Sequence, residues 1–163
     1  MKPKLYVLSA SLLFLLSLSS YSQTIDQFSG NQAERDSLKN TSIAIRAAFS
    51  KGDVDRILLF HHPDVIKSLD YHSYQKGKEA LRPGLKGTLD SFHLDFIENK
   101  TESLYINGET AIEQTLFTIK GTPKGKGEPF IFKGRSMIVY VKYKGSPTGW
   151  ATIREMIQPA TDK

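Results

Sequence analysis

The sequence predicts an α+β domain in which a curved, mainly antiparallel sheet carries helices against it. Three observations predict it. Apolar residues recur at helical spacing in the first half, the period shortens toward two from His93 onward, and glycine-bearing turns bound the later apolar runs. Helices laid on such a sheet would enclose a pocket open at one end.

The chain of 163 residues starts with Lys2 and Lys4, an apolar run from Leu5 to Leu18, and small polar residues up to Gln23. This layout predicts a signal peptide over residues 1–22, cut after Ser22, because the apolar run is short against the ~20 residues of a membrane span. The expected product is exported, periplasmic or secreted. It keeps no stable membrane anchor, and no cysteine is present to carry a lipid at the cut. Residues 23–31 read as a loose lead-in and 32–160 as one domain. Without cysteine the domain must hold together by packing, and thiolate metal sites and cysteine nucleophiles are excluded. The net charge of +5 falls by two with the leader and is mostly scattered, so no nucleic-acid partner is expected.

Leu38, Thr41, Ile45, Ala48 and Phe49 give a first helix over about 32–51, stopped by Gly52. Asp53 caps a shorter second helix carrying Val54, Ile57, Leu58 and Phe60, which Pro63 prevents from continuing. A short strand over 64–69 and a polar loop over 70–75 follow. A third helix lies between Lys78 and Phe92, with Pro83 predicting a kink or a later start. Four strands complete the chain, at 93–104, 110–120, 129–144 and 149–158. Asn107-Gly108, the glycine-rich segment 121–128 and Lys144-Gly145-Ser146-Pro147 supply the turns between them.

This order, with Gly52-Asp53, His62-Pro63-Asp64, Gly77-Lys78-Glu79-Ala80-Leu81, Gly108-Glu109-Thr110-Ala111, Gly134-Arg135 and Gly149-Trp150, resembles the nuclear transport factor 2-like superfamily. The resemblance is to its bacterial SnoaL-like and ketosteroid-isomerase-like members. It implies a cone-shaped α+β domain, its strongly curved mixed or antiparallel sheet wrapped around about three N-terminal helices, often as a homodimer. Members bind or transform small molecules inside the cone, so the fold alone selects no reaction.

In ketosteroid isomerases a carboxylate after the second helix moves a proton beside a carbonyl, and Asp70 resembles it in position. The alternative for Asp70 is a turn with its own backbone. Tyr71 and His93 are further acid–base candidates, and Tyr74 could join them at the cavity mouth. Counting by twos puts Glu113 on one face of its strand with Thr115 and Phe117, where a buried carboxylate would need a partner such as Arg135 or Arg154. In the last strand Trp150 and Arg154 alternate with Ala151 and Glu155, and phase alone does not choose the inward set; the expected pocket-lining residues are Tyr74, Glu113, Thr115, Phe117, Arg135, Trp150 and Arg154. No metal site is expected, since adjacent His61 and His62 diverge on a helix.

The leading expectation is an exported, homodimeric domain that binds a small, mainly apolar molecule in the cone cavity without a cofactor. A second is a cofactor-independent acid–base enzyme of isomerase, cyclase or hydratase/hydrolase type, using Asp70, Tyr71 or His93. A third is an interaction module working through the outer sheet face.

Overall fold

The computed structural model describes residues 29–70 and 72–161. The expected signal peptide, most of the lead-in and Tyr71 lie outside the described residues.

Helix α1 (Gln32–Lys51) begins with a reciprocal cap. The Asn31 side chain accepts from the Glu34 amide at 3.0 Å, and the Glu34 carboxylate accepts from the Asn31 amide at 3.1 Å. It ends at Gly52, whose φ of 70° suits a residue without a Cβ. Asp53 then caps α2 (Val54–Leu59) by accepting from the Arg56 amide at 2.9 Å.

Strands β1 (His61–Ser68) and β2 (Tyr74–Lys76) lead into α3 (Lys78–Ser91), which passes Pro83 without ending. Strands β3 (Phe92–Asn107), β4 (Thr110–Pro123), β5 (Phe130–Lys142) and β6 (Trp150–Pro159) follow. The helices and four later strands thus fall close to their predicted places. Strand β1 starts earlier than expected because it docks beside β6, where the Thr152 amide donates to the Phe60 carbonyl at 2.9 Å. Strand β2 occupies part of the expected polar loop and pairs with β1 at Tyr74, Gln75 and Lys76.

The six strands form one mixed sheet in the order β2-β1-β6-β5-β4-β3, parallel at β1–β6 and antiparallel at the other seams. The expected cone-shaped, strongly curved sheet is therefore corrected to an open sheet that is neither closed nor strongly curled. Closure would require the edge strands β2 and β3 to pair. Strand β2 has only three residues, all paired with β1, and the far end of β3 is met at Ile106 by Ser29.

Three apolar clusters join the helices to the sheet. Leu38 packs with Ile106, Ala111, Tyr140 and Trp150; Ala48 with Ile57, Leu89 and Leu94; and Leu58 with Val65 and Leu81. Burial of this kind yields about 25 cal/mol per Å² of apolar surface and sets where α1 and α3 rest. Ser37 Oγ also ties α1 to the β5–β6 connection by donating to the Thr148 carbonyl at 2.6 Å. Among the described residues no helix is long and apolar enough to cross a membrane.

Candidate functional site

Where the three clusters meet, the helices and the sheet leave a cavity of about 420 Å³. Leu81, Leu94 and Tyr140, one from each cluster, are part of its wall. Its volume falls in the ~300–1,000 Å³ range of small-molecule sites.

One side of the wall is aromatic. Phe49 on α1, Phe96 on β3, Phe117 on β4 and Phe132 on β5 form a chain of edge and tilted contacts with centroids 5.9, 6.2 and 5.9 Å apart. Gly134 makes this packing possible, since a Cβ there would lie 2.6 Å from Phe117 Cζ. Such ring contacts favour planar apolar groups.

The opposite side, from β1 and β6, is polar. His61, Lys67, Thr152 and Glu155 all line it. Lys67 Nζ and a Glu155 carboxylate oxygen form an ion pair, with side chains only 10% and 13% exposed. His61 Nδ1 lies 2.8 Å from the Ile57 carbonyl, so it carries the proton and donates, while Nε2 is buried without a hydrogen-bond partner. Burial, then the charge of Lys67, holds the His61 pKa well below its ordinary value. The imidazole is therefore neutral and Nε2 keeps its lone pair.

Local geometry explains how these groups reach one face. Strand alternation brings His61, Val65 and Lys67 to the buried side of β1. On β6 the pairing shifts between Thr152, opposite Tyr140, and Arg154, opposite Val139. The extra residue, Ile153, changes the phase, so Thr152 and Glu155 both line the cavity although an odd number of residues separates an alternating pair.

Tyr140 links the wall to a deeper acid. Its hydroxyl donates to Glu113 Oε2 at 3.1 Å, and Thr101 donates to Oε1 at 2.9 Å. Burial, reinforced by the Glu113 charge, pushes the phenol well above its usual value, so Tyr140 stays neutral. The hydroxyls of Thr115 and Ser136 pair at 2.6 Å in the same wall.

The residues singled out in the sequence scatter around this site. Asp70, Thr115 and Phe117 line the cavity. Asp70 is exposed, and its carboxylate accepts from the His72 amide at 2.7 Å, forming a turn with its own backbone. Glu113 is buried behind the wall, with hydroxyl partners instead of a cross-strand arginine. Arg135 instead holds Glu102 through bonds of 2.6 and 3.0 Å, and exposed Arg154 donates to the Asp64 and Ile153 carbonyls. His93 is exposed and lies 3.0 Å from Asp95, while Tyr74 is 67% exposed on β2. Trp150 is fully buried in the core, with Lys142 over its ring at 4.3 Å.

The sequence gives no prompt to single out Lys67 or Arg46, offers His61 only as a metal-ligand candidate, and leaves the direction of Glu155 open. An extended reading from His61 would have put His61 and Lys67 in one phase, and the helical stripe Ser42, Ile45, Arg46, Phe49 was visible at its spacing. Among the described residues no group of three or more His, Asp or Glu side chains has metal-ligand geometry.

No protein-family model and no curated protein matches the chain. Solved structures do. A conserved protein from Planctomyces limnophilus aligns with a TM-score of 0.71 at 17% identity, covering 80% of this chain and 100% of that one. A candidate scytalone dehydratase from Novosphingobium aromaticivorans aligns at 0.67 with 13% identity, covering 78% and 85%. A ketosteroid isomerase-like protein from Erwinia carotovora atroseptica aligns at 0.67 with 14% identity, covering 81% and 100%. These likenesses show a nuclear transport factor 2-like fold.

The expected cone cavity that only holds a small, mainly apolar molecule is thereby corrected. The sheet is open, and the cavity wall carries a buried ion pair, a buried imidazole and a guanidinium. Burying such groups in a passive apolar container would cost stability without a return.

Proposed function

We propose that the chain is a cofactor-independent acid–base enzyme of the hydratase/dehydratase kind, acting on a small carbonyl compound. The observation that carries this reading is the Lys67–Glu155 ion pair in the wall of the cavity. The likeness in fold to a candidate dehydratase and an isomerase-like protein supports it.

A base and an acid side by side on neighbouring strands suit reaction at two adjacent carbons on one face of a substrate. Glu155 takes the proton beside the carbonyl, the electrons form the new C=C bond, and the C–O bond to the neighbouring hydroxyl breaks. Lys67 protonates the departing hydroxyl, which leaves as water. The proton on Glu155 then returns to Lys67 across their contact, restoring both groups. Positioned proton transfer of this kind contributes about 10²–10⁴-fold to rate.

The acid–base roles thus move from His93, which lies outside the cavity wall, to Lys67 and Glu155. Neutral His61, beside Lys67, adds no competing positive charge. Export is supported by the leader-like first residues, and a place near the SnoaL-like and ketosteroid-isomerase-like members by the likeness in fold. A homodimer through the outer sheet face is supported by exposed Met137 and Met156, which are paired across β5 and β6.

The test is a panel of β-hydroxy ketones and β-hydroxy acids, with the conjugated product followed by ultraviolet absorbance. Turnover by the wild-type chain that is lost in Glu155→Gln and Lys67→Met is expected. Full turnover in both folded variants, or none by the wild type across the panel, contradicts the reading.

A further inference from the structure

Helix α1 presents Ser42, Ile45, Arg46 and Phe49 to the cavity at the i, i+3, i+4, i+7 spacing of one helical stripe. The charged side chains in the wall are Arg46, Lys67, Asp70 and Glu155. Lys67 and Glu155 neutralise each other, and Asp70 is exposed and accepts from the His72 amide.

Arg46 is different. It is half-buried, and its Nη1 donates to Ser42 Oγ at 2.6 Å. Among the described residues it forms no ion pair. Glu113 is near enough for its charge to act on Arg46 through space, but the two make no direct hydrogen bond or ion pair; the carboxylate accepts instead from Thr101 and Tyr140. Burial lowers the Arg46 pKa, yet a guanidinium still remains charged near neutrality. A partly desolvated cation in a cavity wall gains most from an anion that brings its own matching oxygens.

We propose that Arg46 is the docking group for a carboxylate, so that the cavity takes a small ring-bearing carboxylic acid. The guanidinium fork matches the two carboxylate oxygens, which an ammonium cannot do. The ring lies among Phe96, Phe117 and Phe132. Treating this acid as the substrate rests on the acid–base reading above, whereas its binding does not.

The experiment measures equilibrium binding of hydrocinnamate, cinnamate and naphthylacetate, and of their neutral primary amides, by calorimetry. Each acid should bind the wild-type chain roughly tenfold or more tighter than its amide. Arg46→Gln should abolish that preference, and Arg46→Lys should keep only part of it. Acids and amides that bind alike, a preference that survives in Arg46→Gln, or failure of the wild type to bind any of the acids would overturn the proposal. Should Arg46→Gln not fold, the wild-type comparison and Arg46→Lys still decide it, with an undiminished preference in Arg46→Lys counting against the fork. Loss of the acid–base reading would leave the binding preference intact, and loss of the preference would leave turnover of neutral ketones intact.

Discussion

Lys67 and Glu155 are register partners across the parallel seam between β1 and β6, and their side chains close an ion pair in the wall of the cavity. The seam supplies the geometry, because directly opposed residues on neighbouring strands project to the same face. It places a proton donor and a proton acceptor side by side, against a surface that is otherwise largely aliphatic and aromatic.

The pair should couple strongly in stability. Removing one partner leaves the other charge buried and unpaired, at a cost of about 3–5 kcal/mol. Lys67→Met and Glu155→Leu should each approach that loss in urea unfolding, while the double variant should recover most of it. Additive losses would mean that the two charges do not depend on one another.

Much of the framework is legible in the sequence because its signals are local. Gly52 stops α1, Asp53 caps α2, and the turn at Asn107-Gly108 separates β3 from β4, as composition and spacing predict. Alternation groups Glu113, Thr115 and Phe117 on one face of β4, and all three are buried there, Thr115 and Phe117 in the cavity wall and Glu113 behind it. The polar side of the site depends on longer-range facts. A lysine reads as a solvent-facing residue until β1 is seen docked beside β6, and the phase change at Ile153 defeats counting by twos at Glu155. Openness of the sheet is a property of which edge strands meet, and no single segment encodes it.

His61 should make stability depend on pH. Its folded pKa is depressed, so the unfolded chain binds the proton more readily than the folded one. The associated stability is complete above the ordinary histidine value of 6.5 and is lost as pH falls below it toward the folded pKa. Urea unfolding at about pH 7.5 and about pH 5.5 should show this decline, and His61→Gln should flatten it.

Tyr140→Phe keeps the ring in its cluster with Leu38, Ala111 and Trp150 but removes a hydrogen-bond donor from Glu113. The buried carboxylate then keeps Thr101 as its hydrogen-bond donor among the side chains described. A loss of about 1–3 kcal/mol in chemical unfolding is expected. No loss would indicate that Glu113 finds a replacement donor.

Two glycine substitutions should act in opposite directions. At Gly134 a methyl meets Phe117 and Phe132 at 2.6 and 2.9 Å, so Gly134→Ala should destabilise by about 1–3 kcal/mol and disturb the aromatic wall. At Gly87, inside α3, a Cβ meets nothing within 4 Å. Gly87→Ala should stabilise by up to about 1 kcal/mol through helix propensity. Thermal unfolding of both variants checks the pair.

Solvent deuterium incorporation reads the proton transfer at Glu155 itself. Ketones from the β-hydroxy panel, and their analogues lacking the hydroxyl, would be incubated in heavy water with the wild type, Glu155→Gln and Lys67→Met, and exchange beside the carbonyl followed by proton NMR. Exchange catalysed by the wild type is expected, with a fall of about 10²-fold or more in Glu155→Gln, even on analogues that cannot eliminate water. Exchange at the wild-type rate in folded Glu155→Gln would rule out Glu155 as the base.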